Sequence, residues 1–250
     1  MKYAHFTALV PLLWLALAAS SCSSESLQGS PAAGGGGAGG AGGGANAPRC
    51  QAALRQALVP VDTVSPGVVS TLQRTGPEAQ LFLDASTGGL GGKDAHPWLY
   101  VSLASGTRVD LTDEEALRST AWDLAFERSS IRTNSADSGP GRGGAAFLTQ
   151  SFELLAGSAA EQMILEEEAW FDDDCTLRTD AVGDIVTTFA GWSQYDEATH
   201  VLLPVMGTYV VRGGDGALYK LAILDYYANP DGSHGTRAGR YRVRVAAFEE

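Results

Sequence analysis

The side chains with chemistry to offer are three cysteines, four histidines and a dense run of carboxylates. Ala19-Ser20-Ser21-Cys22 has small residues before a cysteine and reads as a lipoprotein cleavage site, with Cys22 as the lipidated residue. If Cys22 is lipidated, Cys50 and Cys175 remain as a pair in an oxidising compartment, and a disulfide rather than two free thiols is expected. Zinc is disfavoured, because no Cys-x-x-Cys is present and no histidine lies near either cysteine in sequence. Asp172–Asp174, close behind Glu166–Glu168, offers clustered oxygen ligands of the kind Ca²⁺ takes, but it lacks the EF-hand pattern and its central glycine. The run reads as a solvated acidic turn. His96 is held extended by Pro97, and His234 lies in the turn-forming Pro230–Gly235. No GxSxG, HExxH or SxxK is present, so the chain reads as a non-enzyme.

These residues sit in a chain of three parts. Residues 1–21 form a leader: Lys2 supplies the positive end, and the apolar run Phe6–Ala19 is shorter than the about 20 residues needed to cross a ~30 Å hydrocarbon layer. Ser23 follows the anchor where a retention signal would carry Asp, which favours the outer membrane. Residues 22–48 form a tether, glycine and alanine alone over Gly34–Gly44, expected to behave as a flexible coil of ~25–30 Å. Residues 49–250 have the composition of one globular domain. The formal charge of −12 repels phosphate backbones, so nucleic acid is not an expected partner. Arg240, Arg242 and Arg244 alternate with Tyr241, Val243 and Val245, which predicts the wet and dry faces of one strand.

Period-two alternation predicts strands at Trp98–Leu103, Thr107–Leu111, Asp184–Trp192, Thr208–Arg212, Ala217–Asp225 and Tyr241–Phe248. Gly214-Asp215-Gly216 suits a hairpin turn, because glycine accepts the positive φ such turns require. Helix formers are confined to Arg49–Leu58 and to Asp113–Arg118 behind a Thr112 cap, with Glu161–Trp170 ambiguous. The expected class is all-β, mostly antiparallel, with one or two short helices.

The most informative stretch is Ala121–Phe147, AWDLAFERSSIRTNSADSGPGRGGAAF. Trp122, Leu124 and Phe126 share one strand face, opposite Asp123 and Glu127, and Arg128, Asp123 and Arg132 are read as pairing across strands. Thr133–Gly144 then has no large apolar side chain, so it must be exposed or allow close backbone approach. No Lys-Ser/Thr follows its glycines, which rules out a phosphate-binding loop. The pattern WDLAFxRxxIxTNSxxSGxGxGGAxF resembles the signature of the HmuY family, haem-binding lipoproteins of bacterial surfaces. A second stretch, Tyr209–Tyr227 (YVVRGGDGALYKLAILDYY), resembles that family's other signature. Order and spacing fit from Trp98 to Val245.

The resemblance implies an antiparallel β-rich fold and haem as cofactor, captured for uptake through an outer-membrane receptor. It also implies two axial iron ligands, histidines in the best-known member and methionines in some relatives. One comes from the segment before the second signature, where this chain has His200 and Met206; the other comes from between the glycine loop and Trp192, where Met163 is the available donor. The lack of a histidine in that second segment keeps an alternative open, a surface lipoprotein scaffold that no longer binds haem and serves as a structural or protein-interaction module.

Overall fold

Strands with apolar residues on both faces need covering on both sides, and this decides the layering. In the computed structural model, which describes residues 50–89, 96–181 and 183–248, β3 (Leu99–Ser102) and β5 (Leu124–Glu127) are such strands. Leu99, Val101, Leu124 and Phe126 face one apolar cluster, while Tyr100 and Ala125 face another. With β4 (Thr107–Arg108) and β6 (Ser130–Thr133) they make a four-stranded antiparallel sheet in the order β4-β3-β5-β6. Ile131 pairs opposite Phe126 across a tight β5–β6 hairpin and so joins the same apolar face.

The first cluster is closed by a six-stranded antiparallel sheet. Its strands are β1 (Val68–Thr75), β2 (Glu78–Asp84), β7 (Gly144–Leu148), β10 (Thr208–Arg212), β11 (Leu218–Asp225) and β12 (Arg240–Ala247), in the order β1-β2-β12-β11-β10-β7. β12 alternates as its sequence predicts: Tyr241, Val243 and Val245 are buried, while Arg244 lies outward and pairs with Glu78 of β2 at 2.6 Å. Each large apolar side chain fully buried in this layer contributes roughly 1.5–3 kcal/mol relative to exposure.

The second cluster is closed by α1 (Gln51–Leu58), which buries Leu54 and Leu58 against Trp98, Tyr100, Trp122, Trp170 and Phe171. Cys50, at the start of α1, forms the expected disulfide with Cys175, Cα–Cα 5.5 Å, closing a separation of 125 residues. α2 (Asp113–Ala116) carries the expected Thr112 cap, with Glu115 completing a reciprocal capping box. A single turn, α3 (Gly157–Ala160), follows β7. The all-β, mostly antiparallel class with short helices is therefore the observed one.

Two expectations are corrected. Asp184–Trp192 is not a strand: it makes one isolated bridge and then a turn, because Phe189 and Trp192 are apolar plugs of the core rather than one strand face. The strands that follow are β8 (Ser193–Asp196) and β9 (Val201–Pro204), a separate two-stranded hairpin. Asp123 does not pair across strands with an arginine; it is buried at 5 % exposure and accepts backbone hydrogen bonds from Leu103 and Gly214. Among the described residues no helix is long and apolar enough to cross a membrane. Residues 1–21 and 22–48, with Cys22, lie outside the described residues.

Candidate functional site

The two glycine-bearing segments are built to meet each other. Asn134 donates from Nδ2 to the carbonyls of Ser119 and Trp122, at 2.9 and 2.8 Å, and accepts at Oδ1 from the Gly141 N–H at 2.9 Å. The loop folds so tightly round this amide that a Cβ on Gly139 would lie 2.3 Å from Asn134 Oδ1, and one on Gly143 2.5 Å from the Asn134 carbonyl. The glycines are thus there for close backbone approach, to protein rather than to phosphate. From the other side, the Gly214 N–H donates to Asp123 Oδ1 at 2.9 Å, while Asp123 Oδ2 accepts from Leu103 N–H at 2.6 Å. Burial raises the Asp123 carboxyl pKa, and these two donors offset part of that cost.

Behind the loop, two buried charges are organised without direct ion pairing. The Arg132 guanidinium, 1 % exposed, lies 4.5 Å from the Trp98 ring and 5.2 Å from that of Trp122, and donates to Ser138 and to Tyr100 Oη. Tyr100 Oη in turn donates to Asp113 at 2.8 Å, relaying the charge compensation. Glu168, read from sequence as part of a solvated acidic run, is fully buried. It accepts from Thr133 N–H, Trp170 Nε1–H and Thr188 N–H and Oγ1 at 2.8–3.1 Å, and desolvation raises its pKa. No sequence signal marked it, since all its donors but Trp170 come from 20 and 35 residues away. These groups position the fold and face no open space where a ligand could sit.

The β8–β9 hairpin carries the exposed chemistry. Asp196 closes its turn: its carbonyl accepts from His200 N–H at 2.8 Å, and its carboxylate accepts from Ala198 N–H and Thr199 Oγ1 at 2.9 and 2.7 Å. These bonds hold His200 in the left-handed region, φ 58°, and bring its Nδ1 to 2.7 Å from Tyr195 Oη. The hairpin is tied to the body by Leu202 N–H, which donates to Tyr227 Oη at 2.9 Å. On the other side of Tyr227, 6.1 Å between ring centroids, lies His234. His234 is the solvated turn residue expected, its side chain 73 % exposed, and its Nδ1 also lies 2.9 Å from the buried Asp225 carboxylate, which leaves Nε2 as the nitrogen for any further partner.

The structure does not bring His200, Met206 and Met163 together. Met206 is 91 % exposed in the turn after β9, at the opposite end of that strand from His200. The four-residue strand β9 lies between them and, at about 3.3 Å per residue, keeps them at its two ends rather than side by side. Met163 is half-buried against Leu155, Ala160 and Val210, in a cluster under the outer face of the large sheet.

A cavity of about 540 Å³ lies elsewhere, between α1 and the Trp170–Thr187 segment. Leu58, Trp98, Phe171, Leu177 and Ile185 line it, with Glu127 and Asp184 as its charged groups. Its lining contains no histidine, methionine or tyrosine, and its one cysteine, Cys175, is in the disulfide. It offers iron no imidazole, thioether or phenol, and its carboxylates are poor neighbours for the carboxylate arms of a haem. Among the described residues no cluster of three or more histidine, cysteine or carboxylate side chains could hold a bare metal ion.

The family model described as HmuY protein matches residues 94–241 of this chain, both glycine-bearing segments and the hairpin included. Among solved structures, the apo form of an HmuY analogue from Tannerella forsythia matches at 16 % identity, covering 76 % of this chain and 100 % of that one, with a TM-score of 0.45. Apo PinO from Porphyromonas gingivitis matches at 11 % identity, covering 76 % and 99 %, with a TM-score of 0.40. No curated protein matches the sequence.

Proposed function

The chain belongs to the HmuY family, and on that premise we propose that it is a surface protein that binds haem at its β8–β9 hairpin and hands it to an uptake receptor. The carrying observation is the Tyr195–His200 pair, which puts two iron-competent side chains in hydrogen-bond contact on the segment directly before the second glycine turn. The donor set fits a haem held from one side: phenol and imidazole both ligate haem iron, and both are exposed here. Tyr227 and His234, across the Leu202 hydrogen bond, extend that face with an aromatic ring and a second oriented imidazole. Haem, when bound, supplies the iron and a flat apolar ring. The hairpin would supply the donor side chains, and the Asp196 turn fixes the backbone that carries them. Lipidation of Cys22 and the glycine–alanine tether would hold the domain at the outer membrane, clear of the lipid surface.

Titrating the purified domain with haemin tests the binding. A saturable Soret shift at one equivalent, weakened in His200→Ala, is the expected result; a spectrum identical to free haemin refutes it.

One observation favours a second reading. Met206 and Met163, the other two donors the resemblance suggests, are far from His200, so two-sided ligation by that set is not assembled. A lipid-anchored scaffold without haem, working through protein contacts, accounts for that arrangement, and it predicts the unchanged haemin spectrum.

A further inference from the structure

The cavity of about 540 Å³ beside α1 has the size of a small-molecule site, for which roughly 300–1,000 Å³ is usual. The sequence keeps it open. Ala53 and Ala57 lie one turn apart on the face of α1 that lines it, while Leu54 beside them fills the core. A large side chain at either alanine would take up the space. Phe171, Leu177 and Ile185 form the far wall, and the Cys50–Cys175 disulfide ties α1 to it, Cys175 itself being part of the lining. Walls fastened before a ligand arrives lose less conformational freedom on binding it.

The lining selects by charge. Leu58, Trp98 and Phe171 are buried and make an apolar floor. Glu127, at the end of β5, and Asp184, from the segment after Leu177, bring two carboxylates from separate parts of the chain. Among the described residues no lysine, arginine or histidine lines the cavity. The Arg132 guanidinium lies 4.5 Å from the Trp98 ring, but it is not in the lining, and Asp113 offsets its charge through Tyr100. The two carboxylates therefore set the sign of the local potential, and the chain's formal charge of −12 has the same sign. Trp98, Trp170 and Phe171 in the lining add to this preference, because an aromatic ring face attracts a cation. A bare metal ion is a poor match, since the lining gathers only two carboxylates.

We propose that this cavity is a binding site for a small organic cation, an amine or quaternary ammonium carried on an aromatic or aliphatic body. The body rests on the floor of Leu58, Trp98 and Phe171, and the cationic head lies toward Glu127 and Asp184. The site is separate from the β8–β9 hairpin: Tyr195, His200, Tyr227 and His234 are all outside its lining. The inference therefore does not depend on the haem reading above.

The test titrates the purified protein with three probes that share one ring system and differ in charge at pH 7: 1-naphthylmethylamine, 1-naphthalenemethanol and 1-naphthoate. ¹H–¹⁵N correlation spectra report both affinity and place. The amine should saturate one site with shifts at Leu58, Leu177 and Ile185 and none at Tyr195, and it should bind about tenfold or more tightly than the carboxylate, with the alcohol between. Glu127→Gln combined with Asp184→Asn should remove the amine's advantage over the alcohol while the alcohol still binds. Ala57→Trp should abolish binding of all three, with circular dichroism confirming the fold; the charge series on the wild type decides the matter if that variant does not fold. The proposal is overturned if the amine fails to saturate, if the carboxylate binds as tightly as the amine, or if the shifts fall outside the cavity. Haemin binding at the hairpin is unaffected by any of these outcomes.

Discussion

Asp123 Oδ1 accepts a hydrogen bond from the Gly214 N–H at 2.9 Å, joining positions 91 residues apart. One sits at the head of the first glycine-bearing segment, the other in the β10–β11 turn of the second. That single bond explains why both segments are needed and why they are spaced as they are. A Cβ at Gly214 would stand 2.5 Å from the Trp122 carbonyl, and one at Gly213 would stand 2.4 Å from Asp123 Oδ1. Gly214→Ala should therefore cost about 3 kcal/mol of stability. Urea denaturation measures it; a loss under about 0.5 kcal/mol, the scale of an ordinary surface substitution, would show the contact is slack.

The buried carboxylates set a pH dependence. Desolvation raises the Glu168 pKa above its ordinary value despite its donors. A raised folded-state pKa gives stability that is full below the unfolded value and lost as pH rises through the folded one. The stability of wild type relative to Glu168→Gln should thus increase as pH falls from 7 toward the ordinary glutamate range. Paired melts at pH 7 and 5 check this, and a difference that shrinks at pH 5 contradicts it.

The disulfide closes a separation of 125 residues and fastens α1 over Trp98, Trp122 and Trp170. Chain-entropy arguments credit such a crosslink with up to about 5 kcal/mol. Cys50→Ser with Cys175→Ser should lower the melting temperature, and hydrogen exchange at Leu54 and Leu58 should speed up before that of β11. Uniform acceleration across the domain would mean that α1 is not a separately fastened layer.

Anchoring has its own test. Cys22→Ser in cells should abolish incorporation of labelled palmitate and release the protein from the membrane fraction. Unchanged labelling would place the lipid elsewhere.

How much of this was legible in sequence depends on where the partners lie. β10, β11 and β12 were read to within a residue or so, because β11 and β12 largely alternate across the sheet and β10 is a short apolar run bounded by glycines. β1 was missed because its pattern is that of an exposed edge, with Leu72 rather than a clear alternation in its middle. Asp184–Trp192 misled because Phe189 and Trp192 are buried for tertiary reasons, which imitate a strand pattern. Cys50 and Cys175 could be paired by elimination. Tyr195 could not be found that way: nothing in WSQYDEATH shows that the turn closes on Asp196 and folds His200 back onto the phenol. His234 is the exposed turn residue read from sequence, but its contact to Asp225 was not legible, because Asp225 takes its place only once β11 is in the sheet.

The account's central claim is that the hairpin, not the cavity beside α1, takes the haem. Ferric haem is paramagnetic and broadens nearby amide signals, so a titration followed by ¹H–¹⁵N correlation spectra locates it directly. The expected result is broadening centred on Tyr195, Ala198, His200 and Tyr227, with Leu58, Leu177 and Ile185 unaffected. Broadening confined to Leu58, Leu177 and Ile185, or none at one equivalent, would contradict it.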